Sequence, residues 1–245
     1  MTTLERAETA ERAMSEELDR VIVKSVLYTS GELDPTKPVT RPPEEGKFRL
    51  MAADPRLPRM PEKPTILDFF KYRFAPANHM LQSARLAQKN GASEKVVLAC
   101  LLHDIAIAGF IRSDHGYWAA QLLEPYVDPE VCWAIRYHQA LRFFADESVG
   151  YRYPDMYVKL FGPDYKPEPH IERAYREARD HKWYMTSRLI CVNDLYSFDP
   201  TVQVRLEEFT DIVGRNFKQP KEGLGYDSSP TSHMWRTIIA PTKYL

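Results

Sequence analysis

The chain has 245 residues, 44% of them hydrophobic, enough for one large domain or a domain with extensions. Lys and Arg total 33 against 34 Asp and Glu, a net charge of -1 that argues against nucleic acid or an anionic membrane surface as a partner. No stretch approaches the roughly 18 apolar residues of a membrane span, the first twenty residues lack the apolar core of a secretory leader, and Cys100, Cys132 and Cys191, widely spaced beside apolar runs, read as reduced core thiols, so a soluble cytoplasmic protein is expected.

In chain order, residues 3–27 place Leu4, Ala7, Met14, Leu18 and Val21 at spacings of three, four and seven, which predicts an amphipathic N-terminal helix. Eight prolines between residues 30 and 64 remove backbone donors and disfavour helix before each of them, giving a long Pro-rich wrapping loop. Thr65 is a plausible N-cap, and helical spacing from there predicts helices over 65–74, 76–90, 93–108, 114–126, 129–145, 169–179, 181–198 and 200–217. Breaks fall at Pro76, Gly91, residues 109–114, Pro129 and a Pro- and Tyr-rich loop over 150–169. Period-2 alternation is nearly absent, so the fold class is all-α. From Lys218 an irregular C-terminal tail is expected, docked by Trp235, Ile238 and Ile239. The expected organisation is an extension over 1–64, a helical metal-binding domain over 65–217 and a docked tail over 218–245.

Chemistry-bearing residues recur in the order His79, His103-Asp104, His115, His138, Asp194. Imidazole and carboxylate ligands suit divalent transition metals, and a binuclear centre asks for about three protein ligands per ion plus a bridging group, which an Asp following a His can supply. The doublet His103-Asp104 ends the apolar run of residues 96–102, where burying two ionisable groups is costly unless an ion compensates both. Any one of these histidines alone reads more simply as an ordinary core or surface imidazole, but the joint order favours a metal site. His170, His181 and His233 lie in polar surroundings and read as surface residues.

At these residues the chain resembles the HD-domain superfamily, whose signature is a first His, an HD doublet and a distant Asp on a helical bundle; the resemblance covers roughly residues 65 to 200. The extra pair His115 and His138 is similar to its binuclear branches, which are dinuclear phosphohydrolases and mixed-valent di-iron oxygenases typified by inositol oxygenase and by enzymes that oxidise phosphonates. The separations His79 to His103 and His138 to Asp194, with Gln139-Ala140-Leu141-Arg142 after His138, look closest to the phosphonate-oxidising type. The resemblance implies His79, His103, Asp104 and Asp194 around one metal and Asp104, His115 and His138 around the other, with Asp104 bridging and central to catalysis. It implies two Fe ions in an Fe(II)/Fe(III) pair, with Mn, Co, Ni or Zn as alternatives.

The chain departs from that pattern in two places. Many members follow the doublet with a small residue and a Lys or His that contacts substrate; here the run is His103-Asp104-Ile105-Ala106-Ile107, so the cation is missing. Where the phosphonate oxidisers place a Tyr before the first His, this chain has Phe69, with Tyr72 the nearest phenol and hence a substrate-binding candidate. Arg142, one helical turn after His138, reads equally as a substrate-gripping guanidinium or a solvated surface Arg; Arg188 reads as structural. No dinucleotide fingerprint, Walker loop or nucleophile elbow is present. The expected activity is oxygenation of a C-H bond in a small organic substrate with one anionic end and an apolar part, using O2. The alternative is a metal-dependent phosphohydrolase for a nucleotide or phosphoester, and a non-enzymatic site is the third reading. Oligomeric state is not legible.

Overall fold

The computed structural model describes residues 59–74, 77–106, 114–154, 157–158, 161–195, 197 and 202–239. The expected N-terminal helix over 3–27, most of the Pro-rich loop, Ile107 and Tyr196 lie outside them. The described residues are all-α: nine α-helices, two short 3-10 helices and no strand, only an isolated antiparallel bridge between Asp146 and Tyr151. The chain divides into two compact units, residues 1–75 with 220–245, and residues 76–219. None of the described helices is long and apolar enough to cross a membrane.

In the first unit, helix α1 (Ile66–Tyr72) begins at a capping box, in which Asp68 N donates to Thr65 Oγ1 and Thr65 N donates to Asp68 Oδ2. Its buried Phe69 meets Trp235 edge-on, ring centroids 4.8 Å apart, and Phe74 completes the aromatic cluster. Trp235 belongs to a helix, Ser232–Ile239, where an irregular tail was expected. Ser, Thr and two Ile dilute the helical propensity of those eight residues, and burial of Trp235 against α1 supplies what propensity does not. Leu224 N donates to Pro64 O, and Gly223 packs so closely on Lys63 that a Cβ would lie 2.7 Å from its Cα.

The second unit is built around α3 (Glu94–Leu102), capped by Ser93 and buried at every position from Val96 to Leu102. A helix apolar on all sides needs neighbours on all sides, and α3 packs against α2 (Ala77–Lys89), α5 (Pro129–Arg142), α7 (Tyr184–Leu195) and α8 (Thr210–Asn216). Helix α4 (His115–Leu123) packs on α5, as does α6 (Pro169–Arg179). Asp128 caps α5 with Pro129 in its first turn. At the other end of α5 the fully buried Arg188 of α7 donates to the carbonyls of Leu141 and Phe144, satisfying acceptors that a helix C-terminus leaves open.

Several expected helix boundaries differ, α4 ending at Leu123 rather than 126 and α7 starting at Tyr184 rather than 181 among them. Helix α3 stops at Leu102, with His103 as its C-cap, rather than running to 108. Helix α5 ends at Arg142 rather than 145. The helix expected over 200–217 is a 3-10 turn, Leu206–Phe209, followed by α8. Residues 202–205 stay non-helical because β-branched Val202 and Val204 disfavour helix and because Asn78 and Gln82 of α2 both donate side-chain hydrogen bonds to Val202 O.

The three cysteines are free thiols, and burial pushes Cys100 and Cys191 up to about 12 and Cys132 up to about 11. At pH 8 the thiolate fraction of each is then about one in a thousand or less, so the folded protein should resist iodoacetamide while the denatured chain takes up three equivalents, as mass spectrometry would read. Trp235→Ala should lower unfolding stability by about 3–5 kcal/mol, measured by denaturant titration.

Candidate metal centre

Six polar side chains converge inside the 76–219 unit from five elements. His79 lies near the start of α2, His103 and Asp104 follow the C-terminus of α3, His115 opens α4, His138 sits on α5 and Asp194 on the last turn of α7. All six are buried, Asp194, His103 and His138 completely. His79 Nε2 is 2.9 Å from Asp194 Oδ1 and 3.4 Å from Asp104 Oδ2. His103 Nε2 lies 3.5 Å from Asp104 Oδ1 and 3.7 Å from Asp194 Oδ1. The same Asp104 Oδ1 is 3.1 Å from His115 Nε2 and 3.7 Å from His138 Nε2, and those two nitrogens are 3.0 Å apart. Facing atoms of His79, His103 and Asp194 lie within 4.8 Å of one another, as do those of His103, Asp104 and His138.

Local backbone geometry aims the rings. His103 Nδ1 lies 2.7 Å from Cys100 O and His138 Nδ1 2.6 Å from Ile135 O, each a carbonyl three residues back along the chain. A nitrogen facing a carbonyl carries the proton, so Nε2 of each ring keeps its lone pair for the centre. His79 is held by Ser197, whose hydroxyl spends its own proton on Asp194 O at 2.6 Å and therefore accepts from His79 Nδ1–H at 2.8 Å. His115 follows Asp114, which adopts φ +118, a conformation a side chain rarely takes and worth roughly 1–3 kcal/mol of strain. Its N–H donates to Gln139 Oε1, tying the start of α4 to the residue after His138.

Electrostatics set the protonation pattern of the protein alone. Burial disfavours a charged His79, but the Asp104 and Asp194 carboxylates outweigh it and hold the ring up to about 9. Burial, reinforced by His115 and His103 beside it, drives His138 down to about 4. Burial would raise both carboxyl groups; the surrounding imidazoles overturn this at Asp104, and Arg142 with His103 and His79 at Asp194, so both lie well below the usual carboxylate range. His103 Nε2 and Asp104 Oδ1 have no hydrogen-bond partner among the described residues although both are buried. Such atoms are expensive to leave unmet, and a cluster of imidazole nitrogens and carboxylate oxygens with open lone pairs fits a divalent metal of the Mn to Zn series.

All six residues expected from sequence meet here. Arg142 joins them: it is buried, pairs with Asp194 Oδ2 through Nη1, and its guanidinium carbon lies 5.0 Å from the ring centroid of Tyr157. The solvated alternative for Arg142 is therefore ruled out. Tyr72 is on α1, in the other unit, and half-buried. Arg188 caps α5 as described above. His170 and His233 are exposed, whereas His181 is half-buried and stacks on Trp133 at 4.1 Å. Sequence reasoning missed Ser197, which lies one helical turn beyond Asp194, and Gly116, beside His115. A Cβ on Gly116 would meet Ile135 O at 2.7 Å and the His138 ring at 3.1 Å, so the missing side chain is what lets α4 approach α5 closely enough to bring His115 and His138 together.

The HD domain family model matches residues 77–181, which contain five of the six residues, Asp194 lying beyond its end. Over 79 residues the chain is 32% identical to a 1-hydroxy-2-(trimethylamino)ethylphosphonate dioxygenase (glycine-betaine-forming) of Leisingera caerulea, covering 27% of this chain and 39% of that protein. The chain thus spans well under half the length of that relative.

Gly116→Ala gains about 1 kcal/mol of helix propensity but overpacks against a backbone carbonyl at a cost of about 1–3 kcal/mol. The variant should therefore be no more stable than the parent, and up to about 2 kcal/mol less so, in denaturant titration; a raised midpoint would show that α4 is not held to α5 at this point.

Proposed function

We propose that this chain, an HD-domain protein through residues 77–181, holds two metal ions, a mixed-valent Fe(II)/Fe(III) pair, and oxygenates a C-H bond of a small organic substrate with an anionic end. The observation that carries the reading is the position of Asp104. Its Oδ2 faces His79, while its Oδ1 faces His115 and His138, so one carboxylate addresses two groups of imidazoles at once. One ion would be held by His79, His103, Asp104 and Asp194, the other by Asp104, His115 and His138, with Asp104 bridging. His103 is close to both groups but offers a single nitrogen, and its approach to Asp194 supports assigning it to the first.

When bound, such an iron pair supplies electrons to O2 and the oxidising power to break a C-H bond. The residues of this chain do the rest. His103, His138 and His79 present Nε2 because Cys100 O, Ile135 O and Ser197 Oγ hold their Nδ1 protons away from the centre. The apolar packing of α3 and α5 keeps water from the ligands. Arg142 has committed Nη1 to Asp194, but its buried Nε has no hydrogen-bond partner among the described residues. That N–H is the donor proposed to meet the anionic end of the substrate. The partial likeness to a phosphonate dioxygenase supports the oxygenase branch over hydrolysis.

Anaerobically prepared protein should bind two Fe per chain and, after partial oxidation, give the EPR signal of a coupled Fe(II)/Fe(III) pair. Substrate-dependent O2 uptake should follow, whereas phosphate release dependent on Mn, Co or Ni, with no O2 uptake, would place the chain among the phosphohydrolases. His115→Ala should retain one ion by metal analysis; retention of two would overturn the six-ligand assignment.

A further inference from the structure

Asp194 and Arg142 form a pair that the ligand assignment alone does not account for. Asp194 is fully buried on the last turn of α7, and its two oxygens have different neighbours. Oδ1 faces His79 Nε2 at 2.9 Å and His103 Nε2 at 3.7 Å, while Oδ2 is ion-paired to Arg142 Nη1. A carboxylate with both oxygens available can chelate one ion through both; a guanidinium on one oxygen occupies part of its lone-pair density and holds it turned aside, so the other oxygen is the one presented to a metal.

Arg142 is itself held in place. It is the last residue of α5, one turn beyond His138, and Tyr151 donates its phenol to Arg142 O at 3.0 Å. The Tyr157 ring lies against the guanidinium. The C-terminal end of α5 is fastened to α7 by Arg188 through Leu141 O and Phe144 O, so the helix carrying Arg142 and the helix carrying Asp194 are joined at two places.

We infer that Arg142 is a positioning residue for the metal centre: it keeps Asp194 monodentate through Oδ1 and so leaves open, for an exogenous ligand, the coordination position that Oδ2 would otherwise fill. This rests on the assignment of Asp194 as a ligand. It is separate from the proposed contact of Arg142 with substrate, because it predicts an effect on the metal when no substrate is present. A guanidinium serving substrate alone would leave the metal unaffected.

The test uses metal-free full-length protein titrated with Co(II), whose visible absorption weakens as coordination number rises. The parent should bind two Co(II). In Arg142→Gln the stoichiometry should stay at two, the affinity of one ion should change about tenfold or more, as is usual when the partner of a ligating carboxylate is lost, and the absorption should fall as Oδ2 joins the metal. Arg142→Lys, which restores a cation to Oδ2, should recover most of the parent spectrum. A parent spectrum and parent affinities in Arg142→Gln would overturn the positioning role. Should that variant not fold, infrared difference spectra of the parent, with and without metal, decide: a widely split carboxylate band pair marks a monodentate ligand, and its absence overturns the inference. A parent that binds fewer than two ions would count against the two-metal reading. The response of a single ion to Arg142→Gln would still be read.

Discussion

Two carboxylates without solvent, Asp104 and Asp194, are the constraint around which the 76–219 unit is organised. Each is a charge in a medium of low dielectric constant, and each has to be met by positive or polarised partners or it would not stay ionised. Four imidazoles and one guanidinium meet them. Those partners come from α2, α4 and α5 and from the end of α3, so satisfying the two charges brings most of the unit's helices to one point. The apolar packing of α3 supplies the driving force for collapse, while the charges select which collapsed arrangement is tolerable.

The division of labour between the two carboxylates follows from where the helices end. Asp104 lies just past the C-terminus of α3, in a turn, and can present its two oxygens in two directions. Asp194 is inside a helix, and its outer oxygen meets Arg142 at the end of α5. One carboxylate is thus shared among four imidazoles, and the other is divided between the centre and the scaffold. Arg142, the guanidinium at the centre, has part of its charge committed to Asp194.

The convergence of the six side chains was legible because residues of the right chemistry fall in one order along the chain, and the all-α class because helical spacing persists with almost no alternation. Arg142 was half legible: its place one turn after His138 was readable, but its burial depends on how α5 meets α7. The helix over Ser232–Ile239 was not legible, since its stability comes from Trp235 packing on Phe69, residues far apart in sequence. The break at Val202 was hidden for a similar reason, its carbonyl being claimed by Asn78 and Gln82 of α2. Ser197 and Gly116 escaped notice because their importance lies in a lone pair at one position and a vacant volume at the other, neither of which shows in residue type.

The anchors of His103 and His138 are main-chain carbonyls three residues earlier in the chain, those of Cys100 and Ile135. A backbone atom is contributed by every amino acid, so positions 100 and 135 can accept other apolar side chains of similar volume while the imidazoles keep their aim. The orientation of the two imidazoles is in this way inherited through backbone geometry rather than through residue identity. Distant relatives can diverge at both positions without disturbing the centre, and an alignment of such relatives would carry no mark of what steers these rings.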